Sequence, residues 1–296
     1  MRVRTGIVAL CVLLAGCSGG GGQSGESATD TATSTGHSRG ASPAPTTGAE
    51  GDRFPSTTDP LPSDLTRDLR RVLDRHEELE ASVSVVPVGG DEPRTVGEAP
   101  TLVAWSTIKV PLALAIERAG LGEKAAADVE AAITASDNEA AADLWERLGS
   151  GRKASDATEA QLRRGGDTRT EVPPEVTAPG FSPFGQSRWR LADQATFTAS
   201  LPCLAGSTTV TSAMSRVLPG QSWGLGTIEG ARFKGGWGPT PEGYVVRQLG
   251  IVPGTKGDTA IALQVRGGDH AADTAVADEL AVVLREHSGQ LPTGSC

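Results

Sequence analysis

The chain has 296 residues, a formal net charge of −9 and 38% hydrophobic residues. A surface that binds nucleic acid carries a clustered excess of Lys and Arg, so this acidic composition argues against a nucleic-acid partner. The four histidines, His37, His76, His270 and His287, are scattered without the spacing of metal ligands, and no glycine-rich phosphate loop follows a strand, so we expect no metal and no other cofactor.

The first seventeen residues have the layout of an export signal. Arg2 and Arg4 precede an apolar run over 7–14, which is too short to span a bilayer. The run ends in Leu-Ala-Gly-Cys, which resembles the lipobox of bacterial lipoproteins and implies cleavage before Cys17 and acylation of that cysteine. An ordinary export signal with Cys17 as an incidental thiol is the alternative. We expect an extracytoplasmic protein that is anchored to the cell membrane.

The segment over 18–60 is rich in Gly, Ser, Thr and Pro and has almost no large apolar side chain. Such a segment cannot bury enough surface to offset the entropy lost on ordering. We therefore predict a disordered tether over 18–60 and one folded domain over 61–296, which is long enough for a single core. We expect the domain to be a monomer.

The predicted domain begins with a helix and a hairpin. Ser63 and Asp64 are favoured N-cap residues, and apolar residues follow at helical spacing, so we predict a helix over 63–80. Alternating Val and Ser predict a strand over 81–88, and a Gly-Gly-Asp turn separates it from a second strand over 93–96.

The first candidate for chemistry is the sequence Ser106-Thr107-Ile108-Lys109. Positions three apart share a helix face, so the hydroxyl of Ser106 and the amine of Lys109 would lie within reach of each other. Only five of the 27 basic residues are lysines, and a buried Lys can lose its proton whereas Arg cannot. The positive end of the helix would also favour a neutral amine. The alternative is that Ser106 only caps the helix.

A helical region follows, with helices predicted over 106–119, 123–134, 138–148 and 155–164. The tripeptide Ser136-Asp137-Asn138 lies directly before the third of these helices. All three of its residues are favoured N-cap types, so capping alone is one explanation for the tripeptide.

Cys203 and Cys296 are the cysteines that remain beyond the export signal. Disulfides persist in the compartments that exported proteins reach, so we predict that the two cysteines pair. The bridge would tie the C-terminus to a helix that ends near Leu201, and it would stabilise the fold by about 4 kcal/mol in the chain-entropy model.

The chain closes with runs rich in β-formers that predict strands over 231–235, 244–252 and 259–265, and a helix over 271–286. Lys234-Gly235-Gly236 lies at the end of the first of these strands, where Gly marks the close approach of a backbone or ligand. The element order predicts an α/β (α+β) fold: one antiparallel sheet flanked by helices, plus a mostly helical lobe.

The ordered trio Ser-x-x-Lys, Ser-Asp-Asn and Lys-Gly-Gly resembles the motifs of class A β-lactamases and penicillin-binding proteins, and the resemblance covers most of 63–290. It implies a β-lactamase/transpeptidase-like fold. It also implies that Ser106 is the nucleophile, that Lys109 is its base, and that Ser136 relays a proton to the leaving nitrogen.

The same resemblance implies the substrate-binding residues. Asn138 would orient the substrate and the lysine, while Lys234, Gly236 and Trp237 would bind the substrate along the third motif. The backbone N–H groups of Ser106 and Trp237 are candidates for an oxyanion hole, which stabilises a tetrahedral intermediate.

The chain departs from the family pattern at two places. Gly235 stands where the family has Thr or Ser, a hydroxyl that commonly binds a substrate carboxylate, so carboxylate recognition would fall on Lys234 and a nearby Arg. Class A enzymes also carry a Glu that activates the deacylating water; Glu171 and Glu175 lie outside its usual context, so the deacylating base is unassigned. The long loop over 176–188 is predicted to form a flap or wall.

The resemblance implies an exported serine hydrolase of the β-lactamase type, which forms an acyl-enzyme with a β-lactam or a related amide or ester. Two alternatives stay open. One is a D-Ala-D-Ala peptidase-like enzyme, and the other is a non-catalytic envelope lipoprotein that binds penicillin or peptidoglycan.

Overall fold

The computed structural model describes residues 61–296. The predicted export signal, Cys17 and the predicted tether lie outside the described residues. In the described part, helices pack on both faces of an antiparallel sheet, which confirms the predicted α/β (α+β) fold class.

The strands, in chain order, are β1 (Glu80–Pro87), β2 (Arg94–Val96), β3 (Leu102–Val103), β4 (Arg188–Trp189), β5 (Arg232–Thr240), β6 (Gly243–Gly254) and β7 (Gly257–Arg266). Five of them form the main sheet in the order β2-β1-β7-β6-β5, and β3 pairs with β4 in a small second sheet. All pairings are antiparallel. The strand that carries the third motif, β5, is therefore an edge strand.

The helices are α1 (Ser63–Arg75), α2 (Lys109–Arg118), α3 (Ala126–Thr134), α4 (Asn138–Arg147), α5 (Gly151–Arg164), α6 (Leu191–Ser200), α7 (Ser207–Met214) and α8 (His270–Glu286). None of the helices in residues 61–296 combines the length and the apolarity needed to cross a bilayer.

The main sheet separates two hydrophobic cores. One core joins the sheet to α1 and α8 and includes Leu65, Leu280 and Ile261. The other joins the opposite face to the helical lobe and includes Leu112 and Leu249. Because successive side chains of a strand point to opposite faces, neighbouring residues on β5 face different cores.

Several predicted boundaries are wrong. The first helix ends at Arg75 rather than at 80, and its N-cap is Pro62 with no side-chain hydrogen bond, so Ser63 and Asp64 do not cap it. Strand β5 continues to Thr240 instead of ending at 235. Its edge position permits this extension, since an edge strand tolerates Pro239, which has no N–H to donate.

Helix α7 was not predicted, because its sequence, Ser-Thr-Thr-Val-Thr-Ser-Ala-Met, consists mostly of weak helix formers. It forms because it buries Val210, Ala213 and Met214 completely. Tertiary packing here overrides local propensity.

The predicted disulfide is present. Cys203 and Cys296 are bonded with a Cα–Cα distance of 5.3 Å, across 93 positions of sequence. Backbone hydrogen bonds between Gly294 and Asp258, at 2.8 and 3.0 Å, hold the C-terminal segment against the start of β7.

Candidate active site

Ser106 lies in a 3₁₀ turn, Trp105–Ile108, that leads directly into α2. The helix predicted over 106–119 thus begins with a tight turn and continues as an α-helix. Pro111 explains the turn: it cannot donate to the carbonyl of Thr107, which accepts from the N–H of Lys109 instead. Side chains three apart eclipse each other in 3₁₀ geometry, so Ser106 and Lys109 lie on the same side.

Two residues of the site have left-handed backbone conformations. Trp105, just before Ser106, has φ +47°, and Ser136 has φ +56°. For a residue with a side chain such a conformation costs about 1–3 kcal/mol, and it persists only where the surroundings enforce it. In residues 61–296 the one other non-glycine residue with positive φ is Ser150.

The amine of Lys109 is held by the second motif. Its Nζ donates to the carbonyl oxygens of Ser136 at 2.7 Å and Asp137 at 3.1 Å, and to Oδ1 of Asn138 at 2.7 Å. Lys109 is 1% exposed, and burial lowers its pKa to about 7, although the charge of Asp137 opposes this shift. A neutral amine keeps two of these hydrogen bonds and offers its lone pair to a proton.

Lys234 contacts the same tripeptide from the strand side. Its Nζ donates to Oγ of Ser136 at 2.8 Å and to the carbonyl oxygen of Gly235 at 2.8 Å. Its side chain is fully buried, and burial, followed by the charge of Lys109, lowers its pKa well below its ordinary value. Ser136 therefore joins two buried amines, one at its carbonyl and the other at its hydroxyl.

Asp137 has a different task from its two neighbours. It is the N-cap of α4, and its Oδ1 accepts from the N–H groups of Glu139 at 2.8 Å and Ala140 at 3.0 Å. The capping explanation of the tripeptide thus applies to the side chain of Asp137, whereas Ser136, Asn138 and the backbone carbonyl of Asp137 bind the lysines.

Gly236 brings β5 directly against the nucleophile turn. A Cβ atom at Gly236 would lie 2.8 Å from the nitrogen of Ser106, 2.9 Å from that of Thr107 and 3.0 Å from the oxygen of Ala104. No side chain fits in this space. The backbone of β5, with Trp237 next in the chain, consequently lies beside the N–H of Ser106, as a shared oxyanion hole requires.

A buried polar network, which the sequence did not reveal, supports the turn from behind. Arg247, the register partner of Gly236 on β6, donates to the carbonyls of Leu102, Val103 and Trp189 at 3.0 to 3.2 Å and to Oε1 of Gln194 at 2.8 Å. Gln194 Nε2 in turn donates to Oγ1 of Thr107 at 3.0 Å.

Arg247 is fully buried, and burial lowers its pKa to about 9, which leaves it charged at neutral pH. Both terminal nitrogens of its guanidinium donate to protein carbonyls or to Gln194. Its Nε has no partner in residues 61–296 but is buried, so this Arg positions the turn and does not reach a substrate carboxylate. The hypothesis that a nearby Arg binds a carboxylate therefore fails for Arg247.

Neither predicted candidate for the deacylating base reaches the site. Glu171 and Glu175 are exposed, and neither forms a hydrogen bond or ion pair with a residue in 61–296. Glu159 on the preceding helix, α5, contacts this segment, because its carboxylate accepts from the N–H of Val172 at 2.7 Å. No carboxylate hydrogen-bonds to Lys109 or Lys234 in the described part of the chain.

The loop over 176–188 packs beside the nucleophile. The ring of Phe181 meets the ring of Trp105 edge-on at 4.9 Å, and Phe184 contacts Trp145 of α4 at 5.3 Å. A Cβ at Gly238 of β5 would lie 2.9 Å from the indole of Trp105. Trp105 thus fills the space between the loop and the end of β5.

No grouping of His, Cys, Asp and Glu in residues 61–296 has the arrangement of a metal site.

Solved structures share this fold. A variant of the reconstructed class A β-lactamase of the last common ancestor of Gram-negative bacteria is 23% identical, with a TM-score of 0.57 over 74% of this chain and 96% of its own. A β-lactamase from Xanthomonas campestris is 18% identical, with a TM-score of 0.57 over 75% and 97%. PBP-A is 18% identical, with a TM-score of 0.60 over 79% and 100%.

No protein-family model and no curated protein sequence matches the chain. The fold of class A β-lactamases and PBP-A is therefore established by structure, as the resemblance in the motifs implied, while the activity is not.

The close approach at Gly236 yields a prediction. Gly236→Ala would push the turn of Ser106 away from β5, and we expect this displacement to lower the rate at which the Ser106 hydroxyl reacts with an electrophile by about a hundredfold. The rate is measured by labelling with a fluorescent phosphonate probe for serine nucleophiles. Gly289→Ala is the matched control, because a Cβ at Gly289 meets open space; equal labelling of the two variants would contradict the role of the contact.

Proposed function

We propose that this protein is a serine hydrolase that forms an acyl-enzyme at Ser106 with an amide or ester substrate, β-lactams included. The observation that carries the proposal is that Ser136 accepts hydrogen bonds from two buried amines. Lys109 donates to its carbonyl oxygen, and Lys234 donates to its hydroxyl. The fold shared with class A β-lactamases and PBP-A supports it.

The arrangement suits an acyl transfer. The neutral amine of Lys109 removes the proton of Ser106, whose Oγ attacks the carbonyl carbon of the substrate. The N–H groups of Ser106 and Trp237 stabilise the oxyanion. The hydroxyl of Ser136, which accepts a hydrogen bond from Lys234 at 2.8 Å, passes its proton to the leaving atom. The proton that Lys109 took from Ser106 then restores the hydroxyl of Ser136 and returns Lys109 to its neutral form.

Slow deacylation, as in a penicillin-binding peptidase, is the second candidate function. It is favoured by the exposed positions of Glu171 and Glu175, because a water-activating carboxylate must lie within hydrogen-bond reach of that water and the ester. In this case the acyl-enzyme forms and persists.

Mass spectrometry of the intact protein after exposure to benzylpenicillin tests the proposal. We expect an adduct on Ser106 that persists for minutes or longer, since Glu171 and Glu175 are exposed and neither bonds to a residue in 61–296. Ser106→Ala should give no adduct, whereas the exposed Ser215→Ala should react like the wild type. Rapid return to free enzyme would indicate a β-lactamase, and failure of the wild type to react with β-lactams or with a serine-directed phosphonate would refute the proposal.

The rate of acylation should depend on the protonation of Lys109. Burial lowers its pKa to about 7, so the neutral base is the minor form below that pH and the major form above it. We expect the rate to rise about tenfold per pH unit below the pKa and to level off above it. Lys109→Met should abolish the acylation at every pH, whereas the exposed Lys124→Met should keep the profile. A flat profile between pH 5 and 9 would exclude Lys109 as the base.

We also propose that the enzyme is located outside the cytoplasm and is held at the membrane by a lipid anchor on Cys17. The layout of residues 1–17 supports this location, as does the exposed disulfide between Cys203 and Cys296, because disulfides are rare in reducing compartments.

Membrane fractionation of bacterial cells that express the full chain tests the anchor. Wild type should sediment with membranes and incorporate labelled fatty acid, and Cys17→Ser should do neither. Cys11→Ser, within the apolar run, should behave like wild type; membrane association of Cys17→Ser without the label would overturn the assignment.

A further inference from the structure

Gly235 faces an aromatic wall rather than a polar pocket. A Cβ at Gly235 would lie 3.1 Å from Cζ2 of Trp223 and 3.7 Å from Cζ3 of Trp237. The indole of Trp223 therefore occupies the space that a side chain at position 235 would need. The indole of Trp223 can lie in this position because residue 235 is a glycine.

The wall is built of four rings. Trp223 lies 6.3 Å from Trp237 and 6.4 Å from His270, measured between ring centroids. His270 lies 5.7 Å from Trp237 and 6.1 Å from Tyr244. Trp223 is 8% exposed, while the other three rings are half-buried and reach solvent.

The position of Trp223 is held by the strand next to β5. Gln248, the register partner of Gly235 on β6, is fully buried. Its Nε2 donates to the carbonyl of Trp223 at 2.7 Å, and its Oε1 accepts from the N–H of Leu225 at 2.7 Å. The residue opposite Gly235 thus fixes the aromatic wall and offers no positive charge.

The wall lies on the leaving-group side of the site. Ser136, which would protonate the leaving atom, binds Lys234, and Lys234 directly precedes Gly235 on the edge strand. The opposite end of the site, at Gly238, is filled by Trp105 and Phe181. A leaving group that departs past Ser136 consequently passes along Gly235 and the rings beside it.

The charges around the wall disfavour an anion. Asp269 precedes His270 and is exposed, and the charges of Asp273 and Asp269 contribute to a raised pKa of Tyr244, after burial. Arg247 is used for protein carbonyls. The buried indole Nε1 of Trp223, bonded to the carbon next to Cζ2, has no hydrogen-bond partner in residues 61–296, and it is a neutral donor that carries no charge for an anion.

We infer that the leaving-group subsite beside Gly235 recognises an uncharged aromatic or apolar group and selects against a carboxylate. The inference rests on the proposed function, because it names the substrate class of the same site. Aromatic faces bind apolar and aromatic groups through buried area and ring contacts. A carboxylate there would lose water, and the nearby amine of Lys234 already donates to Ser136 and to the carbonyl of Gly235.

Two matched esters test the selectivity: the phenyl and the 3-carboxyphenyl esters of phenylacetylglycine, which share the acyl group and differ by one carboxylate. After correction for spontaneous hydrolysis, we expect the second-order rate constant for acylation of Ser106, measured as release of the phenol, to favour the phenyl ester by about tenfold or more. Equal rates, or a preference for the carboxylate, would overturn the inference.

Variants assign the preference to the wall. Trp223→Phe removes the ring edge next to Gly235, and Trp223→Phe with Gly235→Thr places a hydroxyl in the space that opens. The preference for the phenyl ester should fall by about fivefold in the double variant. Trp145→Phe, a comparably buried indole on α4, is the control and should keep the preference. A preference unchanged in the folded double variant, as judged by circular dichroism, would refute the role of Trp223.

Binding to Ser106→Ala separates this inference from the proposed function, since no reaction is needed. Calorimetry with the anilide and the 3-carboxyanilide of phenylacetylglycine should show tighter binding of the anilide, by about tenfold. If Ser106 never acylates but this difference is found, the proposed function fails and the subsite stands. If Ser106 acylates but neither ligand binds, or the carboxyanilide binds as well as the anilide, the subsite assignment is wrong.

Discussion

Two buried lysine amines that meet at Ser136 are the constraint on which the rest of the site depends. An ammonium in a low-dielectric interior without a carboxylate partner loses hydration that its neighbours only partly replace, so burial favours the neutral amine. Lys109 and Lys234 also repel each other when both are charged. Desolvation thus produces the base, and no carboxylate in the described residues is needed to hold it. Under the proposed function, this arrangement serves the acylation of Ser106, whereas Glu171 and Glu175, the two candidates for the hydrolytic step, are exposed.

The nucleophile depends on a strained turn that the surroundings enforce. Trp105 has a left-handed conformation that a tryptophan seldom adopts, and it is held between Gly238 and Phe181. Below it, the charge of Arg247 is directed at the carbonyls that precede the turn. Removing one partner from a buried charge typically costs about 3–5 kcal/mol, so the network has a strong preference for one position of Ser106. A precise position for the nucleophile is what an acyl transfer requires.

Successive residues of the edge strand β5 point to opposite faces of the sheet. The residues proposed for the chemistry and those proposed for substrate selectivity therefore lie on different faces. Lys234 and Gly236 point to the helical lobe, where they meet Ser136 and the nucleophile turn. Gly235 and Trp237 point to the opposite face, where Trp223 and His270 lie. Substitutions on one face can therefore change the group that the site accepts without disturbing the amines.

The sequence by itself determined the fold class, the disulfide and the residues that assemble at the site, because hydrophobic periodicity, cysteine count and the three motifs are local patterns along the chain. It could not determine α7, whose weak helix formers are stabilised only by burial, or the extension of β5, which depends on pairing with β6. It also left open whether the tripeptide at 136–138 caps a helix or binds the lysines. The structure shows that the side chain of Asp137 caps the helix, while its carbonyl and its two neighbours bind the lysines. Left-handed φ values, the position of Arg247 beneath the turn and the indole of Trp223 beside Gly235 were decided by tertiary structure alone. Each of them arises from contacts between residues far apart in sequence, and such contacts leave no periodic or motif signal in a single chain.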